Sequence, residues 1–563
     1  MPRIARCVAA LFAAALISSC QVSRERSSES SVATERDPQK TVTLTFTYGS
    51  EKEAWIKDVT DAFNRGDHKI AGGKSIYVEA IPMGSGDCID EILQGTRETD
   101  ITSPASAAFI ALGNAQSRAK SGADLIGSTD SLVVSPVVIA MWRPMAQALG
   151  WPAKPVGWSD ILALAREPKG WEAKGHPEWG PFRFGHTHPE SSNSGLISIL
   201  AEVYAASGKK AGLTLADVNS EKTASFVHGI EQSVVHYGSS TGFFGKKMFA
   251  NGPRYLSAAV LYENMVIESY NGQNEGGFPV VAIYPREGTF WSDHPVGVVN
   301  RPWVNADKKE AAKIYTTFLL AKEQQQKAIP FGFRPASVDV QLAAPIDEAH
   351  GVDPREPKTT LEVPRPDVMD AILKLWHANK KRANLTLVFD VSGSMQEEQK
   401  MDNARDGALQ FVSLLDDDDQ FSLVPFNKRV RWALRDAPLK QRRTDAEGAI
   451  RGLYAEGGTA LYDAIAEAYQ AHLQNADQNE GKISSIVVLT DGEDTDSHTS
   501  LDDLLQRIRF DNETHTIRVF TIGYGKGAKK EVLQRIADAT QAKFYQGDPR
   551  NIRSILREIS TFF

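Results

Sequence analysis

Cysteine is scarce: Cys7, Cys20 and Cys88 are the only three in 563 residues, too few and too scattered for a disulfide-stapled scaffold. Basic blocks are missing as well. The net charge is −8 and no run of lysine or arginine marks the body of the chain, which argues against nucleic-acid binding. Beyond the N-terminus no segment reaches the ~20 apolar residues that a membrane-spanning helix needs. There is no Walker loop, no His-Glu-x-x-His and no positioned acid–base pair, so catalysis is not expected. What remains is ordinary globular composition, 42% hydrophobic and 24% charged, in a chain long enough for about two to four domains.

Residues 1–20 read as a targeting segment. Arg3 and Arg6 give a positive start, Val8 to Ile17 an apolar stretch too short to span a bilayer, and Ser19-Cys20 a small-residue cleavage point. The run LISSC resembles the lipobox of bacterial lipoproteins. That resemblance implies cleavage before Cys20, lipidation of its thiol, and a mature chain outside the cytoplasm, anchored to the cell membrane or the outer membrane. Cys88 is then the one thiol left, and no internal disulfide is expected. Residues 21–40 are polar and without periodicity, a flexible tether about 25 Å long as a random coil.

The most informative stretch is LTLVFDVSGSM, Leu385 to Met395. Its nearly continuous apolarity reads as a buried parallel strand. At the strand's carboxyl end, where open α/β sheets place ligands, stand Asp390, Ser392 and Ser394. Downstream, EGGTALYDAI sets Thr459 before an apolar-periodic helix, and SSIVVLTDGEDT repeats the strand pattern and ends at Asp491. Oxygen-only donors suit a hard divalent cation. In this order the set resembles the metal-ion-dependent adhesion site of von Willebrand factor A domains, over about Asn384 to Phe563. The resemblance implies a Rossmann-like domain holding Mg²⁺ (or Mn²⁺ or Ca²⁺). Ser392, Ser394 and Thr459 would touch the metal, Asp390 and Asp491 would hold its waters, and an acidic group of a protein partner would complete the coordination.

From Thr41 an α/β pattern begins: TVTLTFTYGS as a strand, KEAWIKDVTDAFNR as an amphipathic helix, and SIYVEAIPM as a second strand running into Gly84-Ser85-Gly86-Asp87. VVSPVVIAMW follows as a crossing strand, and RFGHTHPESSNSGLISILAEVYAASGK as strand, loop and helix. This succession resembles a type II periplasmic solute-binding protein, a two-lobed module over Thr41 to about Ala343. The resemblance implies a cleft lined by the loops that open the helices. Two helix N-termini, after Ser85-Gly86 and at Ser192-Asn193-Ser194, would face each other there, their free N–H groups favouring an anion or carboxylate. Tyr48 and Ser50, and later Glu263, Tyr284 and Trp291, are candidate walls. His186 and His188 alternate like a metal pair, yet no third ligand stands near them in sequence, and zinc is not expected.

The expected layout is therefore a signal segment (1–20), tether (21–40), solute-binding module (41–343), linker with a helix (344–383) and A domain (384–563). The linker helix VMDAILKLWHANKK presents one apolar face, as for packing on a neighbouring domain. Asp416 to Asp419 lack the glycine turn and terminal Glu of an EF-hand and read as a helix-to-strand loop. Glu493, Asp494 and Asp496 read as surface acids. The expected function is non-enzymatic: a membrane-anchored binding protein holding a small solute in one module and a protein partner in the other. The alternative is a transport component with the A domain as an accessory dock.

Overall fold

The computed structural model describes residues 36–272, 277–476, 481–509, 517–525 and 527–563. The targeting segment, Cys20 and most of the tether lie outside the described residues. No helix among those described is long and apolar enough to cross a membrane.

The chain lays down β1 (Thr41–Gly49), β2 (Ser75–Met83), β3 (Ile101–Ser103) and β4 (Ile126–Ser131), then crosses through β5 (Val133–Trp142). It continues with β6 (Phe184–Gly185), β7 (Ala258–Tyr262), β8 (Val280–Ile283) and β9 (Trp291–Ser292), returns as β10 (Pro295–Val299), and pairs β11 (Arg334–Pro335) back onto β5. Two sheets result, in the orders β2-β1-β3-β10-β4 and β11-β5-β7-β6, with β8 and β9 also on β5. The crossing strand and the return strand define two lobes. Lobe one closes around Phe46, Trp55, Phe63 and Tyr315, where the helix Ala306–Leu320 packs on β1 and the helix Glu53–Arg65 packs on β2 and on that helix.

The C-terminal unit is a third sheet: β12 (Ala383–Asp390), β13 (Gln420–Phe426), β14 (Leu434–Pro438), β15 (Ile483–Thr490), β16 (Ile517–Tyr524) and β17 (Phe544–Gly547), in the order β14-β13-β12-β15-β16-β17. All pairings are parallel except β13 with β14. Every residue of β12 is buried, as its continuous apolarity demands of a strand covered on both faces. From β12 the sheet grows first through β13 and later, on the other side, through β15. The carboxyl ends of β12 and β15 therefore flank a topological switch point, the place where such sheets bind ligands.

The linker helix Pro366–Asn379 packs on the helices Asn193–Ser207 and Glu221–Glu231 of lobe two. Trp376 is fully buried there, its ring edge-on to His188 and Tyr237. One apolar core runs from lobe two through this helix into the C-terminal sheet, including Phe562 and Phe563. Lys380 Nζ donates to the Phe563 carbonyl at 2.7 Å and Tyr237 N to that of Phe562 at 3.2 Å. The linker is thus a packed joint. The Asp416–Asp419 run forms the helix-to-strand connection; Asp419 is buried and accepts from Ala383 N, and Asp416 pairs with Lys380.

Candidate metal centre and solute cleft

Register builds the first site. Phe389 lies opposite Leu489, so Asp390 comes level with Thr490, whose hydroxyl donates to Asp390 Oδ2 at 2.5 Å. Ser392 N donates to the other oxygen, Oδ1, at 2.7 Å. One residue beyond the strand, Asp491 Oδ1 accepts from Ser394 Oγ at 2.6 Å, and Ser394 Oγ lies 3.1 Å from Ser392 Oγ. Thr459 enters from the loop before the helix Leu461–Gln474. Its backbone N donates to Asp496 Oδ2, and its carbonyl accepts from the amides of Thr495 and Asp496. Asp494 likewise accepts from Tyr462 N at 3.2 Å. Asp494 and Asp496, read from sequence as surface acids, thus tie the Asp491 loop to the Thr459 loop.

The five sequence-marked residues are brought together. A methyl group placed on Gly492 would stand 3.7 Å from Thr459 Oγ1 and 3.9 Å from Ser394 Oγ, so these hydroxyls line one cradle beside a backbone without a side chain. Asp390, Ser392, Thr459 and Asp491 are all buried. Burial pushes the Asp390 carboxyl up to about 6, against the hydrogen bonds from Thr490 and Ser392 that oppose it. Sequence reading did not single out Lys400. Its ammonium reaches Asp491 Oδ2 at 2.7 Å from the start of the helix Lys400–Leu414. Burial disfavours that charge, but the hydrogen bond to Asp491 and its charge outweigh it and hold the lysine above its ordinary value.

The second site lies between the lobes, and they meet directly. Gly86 N donates to Ser191 O at 2.8 Å, Ser106 Oγ to Asn193 Oδ1 at 2.6 Å, and Gly242 N to Ser50 Oγ at 3.3 Å. The helix starts at Ser85 and Asn193 do face each other, but the free N–H groups expected there are in part already used: the Gly86 amide is taken up by the lobe contact. The hydroxyls are similarly engaged. Ser85 Oγ accepts from Ala105 N, Ser192 Oγ meets Thr241 Oγ1, and Ser194 Oγ meets Thr187 Oγ1 and Thr241 Oγ1. Asn193 also donates to Tyr262 OH and Ser292 Oγ. Tyr48 packs against Phe46, the two rings tilted by 34°, within the core of lobe one.

Glu263, Tyr284 and Trp291 gather elsewhere, around Arg334. The guanidinium grips Glu263 through Nε at 2.7 Å and Nη2 at 2.6 Å, Tyr284 OH donates to the same carboxylate, and Trp291 lies 5.2 Å from the guanidinium carbon. This bidentate, buried set satisfies itself and does not converge on the helix starts.

What the sequence did not flag is a buried polar group at the carboxyl ends of lobe one's strands. Lys52 Nζ, fully buried, donates to Glu51 Oε1 at 2.7 Å and lies 3.1 Å from His294 Nδ1. His294 Nε2 and Ser103 Oγ are buried there without a partner among the described residues. Burial, with the Lys52 charge, lowers His294 to about 4. A lysine directly after a strand-end turn is the only signal, and it is indistinguishable from a surface residue.

A two-lobed α/β module joined to a Rossmann-like sheet with a hydroxyl–carboxylate cluster at its switch point is the architecture of a binding protein. A family model described as bacterial extracellular solute-binding protein matches residues 44–334, and one for the von Willebrand factor type A domain matches residues 384–558. The chain belongs to the bacterial extracellular solute-binding protein family and carries a C-terminal von Willebrand factor A domain. Among curated relatives, an uncharacterized protein of Synechocystis sp. is 29% identical over 184 residues, covering 32% of this chain and 42% of that one. Inter-alpha-trypsin inhibitor heavy chain H4 of Bos taurus is 30% identical over 161 residues, covering 27% and 17%. The chain thus spans less than half the length of these relatives. Among solved structures, the sulfate-binding protein SubI from Mycobacterium tuberculosis matches at 19% identity and a TM-score of 0.37, covering 56% of this chain and 92% of that one. A von Willebrand factor type A protein from Catenulispora acidiphila matches at 25% identity and a TM-score of 0.28, covering 32% and 43%.

Proposed function

We propose that the protein is a non-enzymatic, lipid-anchored extracytoplasmic binding protein that holds a small solute between its lobes and a protein partner through a divalent cation on its A domain. The observation that carries this reading is the meeting of Ser392, Ser394, Thr459, Asp390 and Asp491 at one sheet switch point. The donor set fits a hard cation: all donors are oxygen, and the hydroxyls of Ser394 and Thr459 face one glycine-backed cradle. Ser392, Ser394 and Thr459 would hold Mg²⁺ (or Mn²⁺ or Ca²⁺), with Asp390 and Asp491 orienting its waters. When bound, such a cation supplies a Lewis-acidic position that an outside carboxylate completes. The chain's own task is to keep neutral hydroxyls in front and carboxylates behind, so that the cation stays short of negative charge.

For the solute, buried Lys52 and the unpartnered His294 Nε2 and Ser103 Oγ support a ligand bearing an anionic or acceptor group. The helix Ile552–Ser560 supports a link between the two sites. Arg557 reaches Gln94 of lobe one at 3.0 Å, and Ser239 of lobe two reaches Glu558 at 3.3 Å, so the A domain touches both sides of the cleft. Native mass spectrometry of the purified full chain tests the solute half: a co-purified small molecule is expected, lost when Lys52 is replaced by Met. Family membership favours a second reading, a solute-delivering transport component with the A domain as a dock. Deletion of the gene abolishing uptake of the co-purified solute would decide for that one.

A further inference from the structure

His186, Glu202 and Glu231 lie far apart in sequence and meet in the interior of lobe two. His186 follows β6, Glu202 sits in the helix Asn193–Ser207, and Glu231 ends the helix Glu221–Glu231. All three are fully buried. One ligand atom from each lies within 4.8 Å of the others. His188, the alternating partner read from sequence, is turned away against Trp376. Packing supplies two carboxylates, Glu202 and Glu231, in place of His188.

Hydrogen bonding fixes what each group can do. His186 Nδ1 lies 2.8 Å from the Thr187 carbonyl, which can only accept, so Nδ1 carries the ring proton. In the neutral ring, Nε2 then points a lone pair at Glu231 Oε1, 3.0 Å away. Two acceptors facing each other need something positive between them. Glu231 Oε2 meanwhile accepts from Tyr237 OH at 2.6 Å and Trp376 Nε1 at 3.1 Å. Two donors on one oxygen fix the group's direction, as supporting donors do around a metal ligand. Glu202 Oε1 accepts from Ser198 Oγ at 3.1 Å, while its Oε2 is buried with no partner among the described residues. In the ionised form that oxygen is a buried unpaired charge, and in the neutral form a buried unpaired polar atom; both are costly.

We propose that His186, Glu202 and Glu231 form a buried metal site for a first-row divalent ion, Zn²⁺ by the match of one imidazole and two carboxylates to its ligand preferences. A dication balances the two carboxylates and accepts the His186 lone pair. It also gives Glu202 Oε2 the partner it lacks. Because Trp376 of the linker helix donates to the ligand Glu231, the ion would brace the joint between lobe two and the A domain. The site is distinct from the hydroxyl-rich one on the A domain, which offers no nitrogen and suits Mg²⁺.

The test is metal content by inductively coupled plasma mass spectrometry on the full chain, purified from zinc-supplemented culture and, separately, refolded with Zn²⁺, each dialysed against EDTA. About one equivalent of zinc is expected in wild type and in Asp390→Ala, which removes the A-domain site, and near-complete loss in Glu202→Gln, which keeps the side chain's shape. Substitution by Co²⁺ should give ligand-field bands in wild type and not in Glu202→Gln. Absence of retained zinc in both wild-type preparations would overturn the proposal and leave a protonated His186–Glu231 pair beside a neutral Glu202. Retention of a full equivalent by a folded Glu202→Gln would overturn the ligand assignment. Loss of zinc in Asp390→Ala alone would move the metal to the A domain.

Discussion

Lys400 Nζ donates to Asp491 Oδ2 across 2.7 Å, placing a tethered cation against the proposed metal centre. Two consecutive non-glycine residues in the left-handed region, Glu398 at φ 50° and Gln399 at φ 58°, turn the chain so that the following helix begins with this lysine facing the site. An ammonium in that position offsets part of the negative charge a dication needs. Lys400→Met is therefore expected to tighten Mg²⁺ binding about tenfold, ~1.4 kcal/mol, in isothermal titration calorimetry. Unchanged or weaker binding would show that the lysine's role is to position Asp491.

Removing the carboxylate or hydroxyl donors should have the opposite result. In wild type, Mg²⁺ at 100 times its Kd adds about 2.7 kcal/mol to stability. Asp390→Ala and Ser394→Ala are expected to erase that increment in thermal melts with Mg²⁺ against EDTA, while the solute module stays folded. A wild-type melt indifferent to Mg²⁺, Mn²⁺ and EDTA would count against the whole site.

Closure of the lobes depends on a missing side chain. A methyl group on Gly86 would stand 1.9 Å from the Glu190 carbonyl oxygen, and backbone on both sides leaves no flexible end to yield. Gly86→Ala should hold the lobes apart, seen as a larger radius of gyration in small-angle scattering and a loss of solute affinity of tenfold or more. An unchanged scattering profile would mean that the contact relaxes locally.

The joint should weaken with alkali. His377 stands between Glu190 of lobe two, 3.3 Å from Nε2, and Asp416 of the A domain, 3.5 Å from Nδ1. Burial opposes its charge, but the hydrogen bonds and charges of Asp416 and Glu190 raise it to about 9. A histidine raised on folding stabilises fully below its unfolded value, ~6.5, and that contribution is lost as pH climbs through about 9. Between those limits the melting temperature of wild type is expected to fall more steeply than that of His377→Gln. Parallel curves would remove the histidine from the joint.

Cys20→Ser tests the lipid anchor. Release of the chain from the membrane fraction is the expected outcome, and persistent membrane association would contradict lipidation at that thiol.

The elements of the A domain were legible because their physics is local. Continuous apolarity marks β12 and β15 as buried strands, and the polar turn at the end of each stands where parallel sheets place their sites. The crossing strand Val133–Trp142 stood out for the same reason. The cleft was harder to read. Ser85, Gly86 and Ser192 to Ser194 announce helix starts, but whether their donors face a ligand or the opposite lobe depends on how far the lobes close. Glu263 and Tyr284 looked like cleft walls until Arg334, 71 residues beyond Glu263, claimed the carboxylate.

Sequence alone therefore determined the two-module order, the strand ends and the oxygen-bearing residues that stand at those ends, because periodicity and strand burial act over a few residues. The tertiary structure alone decided that Lys400 faces Asp491, that the linker helix packs on lobe two, and that His186 meets Glu202 and Glu231. Those outcomes rest on side-chain direction and on helices packed from distant parts of the chain, and no spacing along a single strand of text encodes them.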